Sequence, residues 1–484
     1  MRKYMFLLLL FLLLLPLTRA GASERVLYEL VFSNPVDNKI LSEIRAMGGE
    51  VIYKLDEING IAVSISSDKV NELLKLDGII AAGPAVKVEA LSEELPSYDV
   101  NGARLTWDLD IINVPTVHEW GYDGRGVYVA VLDTGLEPQW RDYFPAENID
   151  EEHAAAFLGA MATAFLINGN YNKNAWEADT NGHGMHVTST IIGYKVYNFY
   201  RVSGVAPGAR IIPVKVLSNA GWGFSSDVAA GIIYIASLYE KEKSSGGNVL
   251  DPAGVVNPVV ISMSLGGPSL SPLEKHAIDY AISRGVFIIA AAGNEGELGM
   301  SYPAAYPPVI SVGAAGWVNE WIINGQVNRS WWWASDVPEN LSGQVYVTDF
   351  SSREKPGQDL DVLAPGSWVV GPYTPYGAAH PPYWAEGVPR QYYFLGGTSM
   401  ATPHVSGIAA LVLQKDMEDG KIDLTQEKLE DLLEKTAYHL GPGSATVYDP
   451  ISGSFVTYTW GYDAVGSGLV QADAAIKGFE NPPT

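Results

Sequence analysis

The sequence predicts an α/β fold: a parallel sheet with helices on both faces, preceded by a small α+β unit of ferredoxin-like order. Three observations carry this expectation. From Val127 onward, short apolar runs (Val127–Leu132, Ala209–Val216, Val259–Met263, Val286–Ala291 and Val309–Val312) alternate with helical patterns at Ser226–Lys241, Pro272–Arg284, Thr402–Gln414 and Thr425–Thr436. Strands covered on both faces read as continuous apolar runs, and parallel pairing needs crossovers, which helices supply. Ahead of that region, the spacing reads strand, helix, two strands, helix, strand. Finally, 47% of the 484 residues are hydrophobic, enough for a sizeable core and too many for bulk disorder.

In the leading unit, Val26–Phe32 is strand-like and Asn38–Met47 has helical spacing. Val51–Leu55 and Ile61–Ile65 are β-rich runs around a turn at Asn59-Gly60. Ser67 or Asp68 is placed to cap a helix through Leu74, with Val70, Leu73 and Leu74 on one face. Ala85–Leu91 returns as the last strand, completing a β-α-β-β-α-β order. Ser92–Trp107 is polar and contains Pro96 and Gly102, so it reads as a linker.

Met1–Ala22 reads as a secretory signal, with Arg2 and Lys3 ahead of the apolar run Phe6–Leu15 and a small-residue cleavage site at Ala20-Gly21-Ala22. A membrane anchor is the competing reading, but Pro16 ends a run short for a span. Export, with no membrane attachment after signal cleavage, is therefore expected. The formal charge of −24, from 55 acidic and 31 basic residues, argues against nucleic acid as a partner. It fits an acidic protein able to collect cations such as calcium. Cysteine is absent, which removes disulfides and thiolate metal sites.

Four segments carry chemistry. Gly397-Thr398-Ser399-Met400-Ala401-Thr402-Pro403-His404 sets a serine at the start of an apolar helix. A serine hydroxyl needs a base to take its proton and donors to receive the oxyanion. Val129-Ala130-Val131-Leu132-Asp133-Thr134-Gly135, Asn181-Gly182-His183-Gly184-Met185-His186 and Ala291-Ala292-Gly293-Asn294-Glu295-Gly296 offer a carboxylate, an imidazole and an amide. Each has a plainer reading. Asp133 could cap a turn or belong to an Asp-Thr-Gly aspartic protease, but no second such motif occurs. His183 could be structural or, with His186, metal-binding, though no acidic or cysteine ligand accompanies the pair at zinc spacing. Asn294 alone would be a turn residue.

In the order Asp, His, Asn, Ser, these motifs resemble the subtilisin-like serine proteases (subtilases) over nearly the whole chain. The resemblance implies a subtilisin-like sheet, with Ser399 as nucleophile, His183 as base, Asp133 orienting it, and Asn294 donating to the oxyanion. It also implies that residues 23–98 form an inhibitory propeptide that assists folding, cut from a catalytic domain of residues 99–484 within the linker. An N-terminal domain that stays attached is the alternative. Met185, Thr188 and Ser189 depart from the commonest Thr, Ala and Gly, which leaves packing behind the histidine open. Met400 beside the nucleophile implies oxidative sensitivity. No anchoring module is expected after Gly466–Val470.

Substrate contacts follow from the same matching. Gly221, Trp222 and Gly223 on one side, and Ser264, Leu265 and Gly266 on the other, resemble the edges that hold a peptide by strand addition. Ala291, Ala292 and Gly293 would wall a pocket for a large apolar or aromatic side chain, and Glu295 at its rim could admit a basic one. Polypeptide substrates of broad specificity, the chain's own propeptide as inhibitor and a monomeric state are expected, with no catalytic cofactor. A structural Ca2+ ion is implied, with Asp142 as one candidate ligand. An insertion between Asn294 and Ser399 gathers Trp317, Trp321, Trp331-Trp332-Trp333, Trp368, Tyr373, Tyr376, Tyr383, Trp384, Tyr392 and Tyr393. It reads as a satellite core or as an aromatic platform for extended substrate or carbohydrate. A catalytically dead relative used as a binding module, and an acid-acting relative lacking the histidine, are the rival classes. The intact Asp133, His183, Asn294 and Ser399 argue against both.

Overall fold

A computed structural model of the chain describes residues 25–90, 105–159, 173–196, 200–327, 337–373 and 392–480. The signal segment, most of the linker and Trp331–Trp333, Tyr376, Tyr383 and Trp384 lie outside these residues.

The central sheet runs Val345–Val347, Ile310–Trp317, Phe287–Ala291, Val259–Met263, Tyr128–Asp133, Arg210–Lys215 and Ala155–Ala156, with Val362–Pro365 also pairing Ile310–Trp317. All pairs are parallel except that of Val345–Val347, which lies antiparallel at one edge. The strands Tyr128–Asp133, Val259–Met263 and Phe287–Ala291 are buried along their whole length, as apolar runs covered on both faces must be. Helices start where the sequence offers caps. Ser271 accepts from Glu274 N at 3.1 Å ahead of Pro272–Ser283, and Thr425 from Lys428 N at 3.3 Å ahead of Gln426–Thr436. Among the described residues no helix is long and apolar enough to cross a membrane.

The leading unit is a four-stranded antiparallel sheet ordered Glu50–Leu55, Gly60–Ser66, Arg25–Phe32, Ile79–Pro84. Its period-2 alternation divides two cores. Leu30, Phe32, Ile61, Val63 and Ile65 pack in the unit's own cluster with Ile44 and Leu73, whereas Val31 and Ala62 join the main core. One face of this sheet is therefore docked on the larger domain.

Several boundaries differ from the sequence reading. The fourth strand of the leading unit is Ile79–Pro84; the expected run Ala85–Leu91 instead supplies Lys87–Ala90, which leaves that sheet altogether. Ser67 and Asp68 do not cap a helix but lie in a 3-10 turn, with no side-chain cap on Val70–Leu73. Trp107, expected at the linker's end, opens a helical turn and is buried, because its large ring packs into the main core. The helix expected from Thr402 starts at Thr398; Pro403, its sixth residue, offers no N–H to the Ser399 carbonyl, which instead accepts from the Ser264 hydroxyl at 2.8 Å.

Candidate active site

Asp133 ends its strand at the carboxyl edge of the sheet, and His183 opens the helix His183–Ile192 after Gly182, whose φ is +86°. His183 Nδ1 lies 2.8 Å from Asp133 Oδ1 and 3.0 Å from Oδ2. An ionised carboxylate only accepts, so this geometry places a proton on Nδ1. Among the described residues, His183 Nε2 is buried without a hydrogen-bond partner. Asp133 Oδ1 also accepts from Thr134 N at 2.6 Å.

The approach of these segments depends on a glycine. A side chain at Gly184 would collide with the Gly135 carbonyl oxygen, so the helix start can press against the turn after Asp133 only without a Cβ. Thr134 ties the two together, its hydroxyl donating to Asp179 Oδ2 at 2.8 Å while accepting from Gly184 N at 3.0 Å. Asp179 in turn accepts from Asn181 N and Gly182 N, both at 2.9 Å. Burial is the leading influence on Asp179 and raises its pKa, against the nearby Lys215.

Behind His183, the unusual residues are accommodated. Met185 and Thr188 are buried, and the Ser189 hydroxyl donates to His186 O at 2.7 Å. His186 Nε2 lies 3.1 Å from Val369 O and 3.3 Å from Tyr393 O. Burial, followed by the nearby His183, lowers its pKa to about 3 and keeps it neutral. The aromatic insertion thus braces the histidine helix. Its described rings are packed inward, with Trp321 against Trp368 at 5.1 Å and Tyr373 against Tyr393 at 5.4 Å, as the satellite-core reading expects.

Ser399 is the second residue of the helix Thr398–Asp416 and is buried. Its hydroxyl donates to Ser264 O at 3.0 Å, and the Ser264 hydroxyl returns a bond to Ser399 O at 2.8 Å. The sequence reading pointed the Ser399 proton at His183; in this state it is engaged by the Ser264 carbonyl. Met400 is likewise buried, which shields its sulfur. Asn294 Oδ1 accepts from Thr398 N at 2.9 Å and Thr398 Oγ1 at 3.0 Å.

The two expected peptide edges hold a strand. Lys87–Ala90 lies between Trp222–Phe224 and Leu265–Gly266, antiparallel to both, with Trp222 opposite Glu89, Gly223 opposite Val88, and Leu265 opposite Ala90. The Lys87 ammonium sits 5.0 Å over the Trp222 ring. Gly221 precedes this edge at φ +79°, and Ser264 precedes the other. Ala291, Ala292 and Gly293 are buried beside Asn294, with Gly293 N donating to Thr398 Oγ1 at 3.2 Å. Glu295 is exposed, but its Oε2 accepts from Ser301 and Ser352 hydroxyls, each at 3.0 Å.

Asp142 is not brought to this group. It is exposed on the short helix Trp140–Tyr143, and among the described residues no group of three His, Cys, Asp or Glu side chains is placed to hold a metal ion. Sequence reading also missed Thr398, Thr134 and Asp179 as supports. Thr398 was signalled by its place beside Ser399; Asp179, from a separate loop, carried no signal.

Comparison with known proteins shows the family of this chain. The subtilase family model matches residues 124–461. M-protease of Shouchella clausii (strain KSM-K16) is 30% identical over 443 residues, covering 91% of this chain and 85% of that protein. Subtilisin E of Bacillus subtilis (strain 168) is 32% identical over 404 residues, covering 82% and 80%. Among solved structures, fervidolysin from Fervidobacterium pennivorans, a keratinolytic enzyme related to subtilisin, superposes with a TM-score of 0.64 at 25% identity. That match covers 95% of this chain and 62% of fervidolysin. These likenesses place the molecule among the serine endopeptidases, which hydrolyse peptide bonds. The chain belongs to the subtilase family.

Proposed function

We propose that this serine endopeptidase is an exported, self-processing precursor working through Ser399, His183, Asp133 and Asn294. The observation that carries the triad reading is the state of the His183 ring. Its Nδ1 is held by Asp133, and its Nε2 is a buried acceptor with nothing bound to it among the described residues. Rotation of the Ser399 side chain away from the Ser264 carbonyl would offer its proton to that nitrogen. Ser399 Oγ then bonds to the scissile carbonyl carbon as the proton passes to His183 Nε2 and the carbonyl electrons move onto oxygen. The Asn294 amide NH2 and the Ser399 N–H near the helix start would receive that oxyanion. Collapse of the intermediate breaks the C–N bond, with His183 returning its proton to the departing amine; water repeats the cycle on the acyl-enzyme.

Residues 23–98 would act as inhibitor and folding aid. Lys87–Ala90 occupying both peptide edges supports this, as does the docked sheet face behind it. The cut would fall in the linker between residues 92 and 107, and Met1–Ala22 would be removed on export. Substrates are polypeptides held largely by main-chain bonds. The test uses the full chain: the wild type should shorten itself and be labelled by a serine-directed phosphonate, and Ser399→Ala should do neither. Identical behaviour of the two proteins would overturn the proposal in favour of a binding module.

A further inference from the structure

The face on which the leading sheet docks contains two carboxyls. Glu29 sits two residues before Val31, on the side of its strand that meets the main core, and is fully buried. Its Oε1 accepts from the Ser225 hydroxyl at 2.8 Å and its Oε2 from Leu273 N at 3.3 Å, with Ser271 also facing it. Glu274, in the first turn of Pro272–Ser283, is also fully buried, and among the described residues neither of its carboxyl oxygens has a hydrogen-bond partner. Glu29 thus comes from the leading unit and Glu274 from the catalytic domain, across one buried interface.

We propose that Glu29 and Glu274 form a pH-sensitive latch that keeps the leading unit docked while protonated and releases it as they ionise. This rests on the reading of that unit as a severed inhibitor.

Among the described residues, the charged groups on the neighbouring elements are engaged with partners other than these two carboxyls. On the Pro272–Ser283 helix, Lys275 pairs with Asp279 at 2.8 Å, and His276 Nδ1 lies 2.7 Å from Pro272 O. At the start of Ser225–Ser245, Asp227 takes the Tyr53 hydroxyl at 2.8 Å. In the turn Asp56–Ile58, Asp56 pairs with Lys54 at 2.7 Å and Glu57 accepts from Ser237 at 3.2 Å. On the strand carrying Glu29, Arg25 donates to Ser64 at 3.0 Å. Strands Gly60–Ser66 and Ile79–Pro84 carry no charged side chain.

Two unscreened carboxylates cannot both ionise in such a place. Burial raises Glu29 to about 7, against the hydrogen bonds it receives. Burial, then the charge of Glu29, raises Glu274 to about 8. Once the unit departs, both side chains return to water and to the ordinary carboxylate range near 4.5. Docking therefore takes up protons. Its affinity is fully present below the ordinary range and is lost as pH rises through about 7 and then about 8.

The experiment follows cutting and release separately. Wild type, Glu274→Gln and Glu29→Gln full chains are incubated from pH 5.5 to pH 8.5. Gels report cutting, and size-exclusion chromatography reports whether the severed unit still travels with the enzyme. Expected for wild type is at least a roughly tenfold fall in the co-eluting fraction relative to free unit toward alkaline pH. Glu274→Gln, which keeps shape without charge, should flatten that dependence, and Glu29→Gln should do so in part. A pH-independent wild-type complex, or an unchanged profile in Glu274→Gln, overturns the latch. If no cutting occurs, the precursor reading fails instead, and the uncut Ser399→Ala chain decides the latch. Hydrogen exchange at Leu273 N and along Lys87–Ala90, corrected for intrinsic rates, should then quicken with pH, and do so less with Glu274→Gln added. Exchange that ignores either pH or the substitution overturns it.

Discussion

Thr398 holds Asn294 by two donors at once, its backbone N–H at 2.9 Å and its hydroxyl at 3.0 Å, both on Oδ1. With the amide oxygen committed, the NH2 end is the part left to face a substrate. Removing the amide in Asn294→Leu should lower kcat by about 10²–10³, the loss that accompanies removal of the oxyanion donor in subtilisin itself. Thr398→Val keeps one of the two donors and should cost about tenfold in kcat with KM little changed. Steady-state kinetics on a peptide substrate separates the two, and a loss confined to KM would refute the positioning argument.

Asp133 accepts from both His183 Nδ1 and Thr134 N, so an amide in its place would meet two donors. Asp133→Asn should therefore favour the other imidazole tautomer and cost about 10⁴ in kcat at neutral pH. A pH–rate profile checks this; a wild-type-like rate at pH 7 would count against the assigned role.

A third expectation concerns Glu320. Tyr346 and Ser367 hydroxyls both donate to its Oε1, at 2.7 and 3.0 Å, while its Oε2 is buried without a partner among the described residues. Burial raises its pKa to about 8. Its stabilising effect is complete below the ordinary carboxylate value and is lost as pH climbs through about 8. Relative to wild type, Glu320→Gln should gain roughly 2–3 kcal/mol of stability between pH 6 and pH 9. Denaturant melts of Ser399→Ala backgrounds at the two pH values measure it, and equal differences at both would refute it.

Gly184→Ala tests the close approach behind the site. The added methyl meets the Gly135 carbonyl oxygen, a backbone atom unable to swing aside. Loss of about 2–4 kcal/mol in stability is expected, together with reduced activity as His183 moves off Asp133. A melt indistinguishable from wild type would contradict the contact.

Much of the fold was legible because strands covered on both faces write themselves as unbroken apolar runs: Val259–Met263 was bounded as the structure has it, and Tyr128–Asp133 within a residue. The fourth strand of the leading unit was misplaced because Ile79–Pro84 and Lys87–Ala90 are both short and β-like, and only tertiary pairing decides which joins Arg25–Phe32. Ser399 was legible as lying at a helix start, but the periodic helical run itself began only at Thr402, because Thr398 and Thr402 favour turns until neighbours satisfy them. At the site, motif residues could be named from spacing, but their supports could not. Asp179 reaches Thr134 across a loop, and Glu29 takes Leu273 N, next to Glu274, from the other unit; neither contact leaves a local pattern.

If residues 23–98 act as the inhibitor proposed above, the strand Lys87–Ala90, seated between two cleft edges, would also set the kinetics of awakening. While tethered, it would compete with any incoming peptide at an effective concentration on the order of millimolar. Once the tether is severed, the competitor becomes an ordinary solute whose influence falls with dilution. A crowded compartment would keep such a molecule dormant, and dispersal into a large volume would wake it.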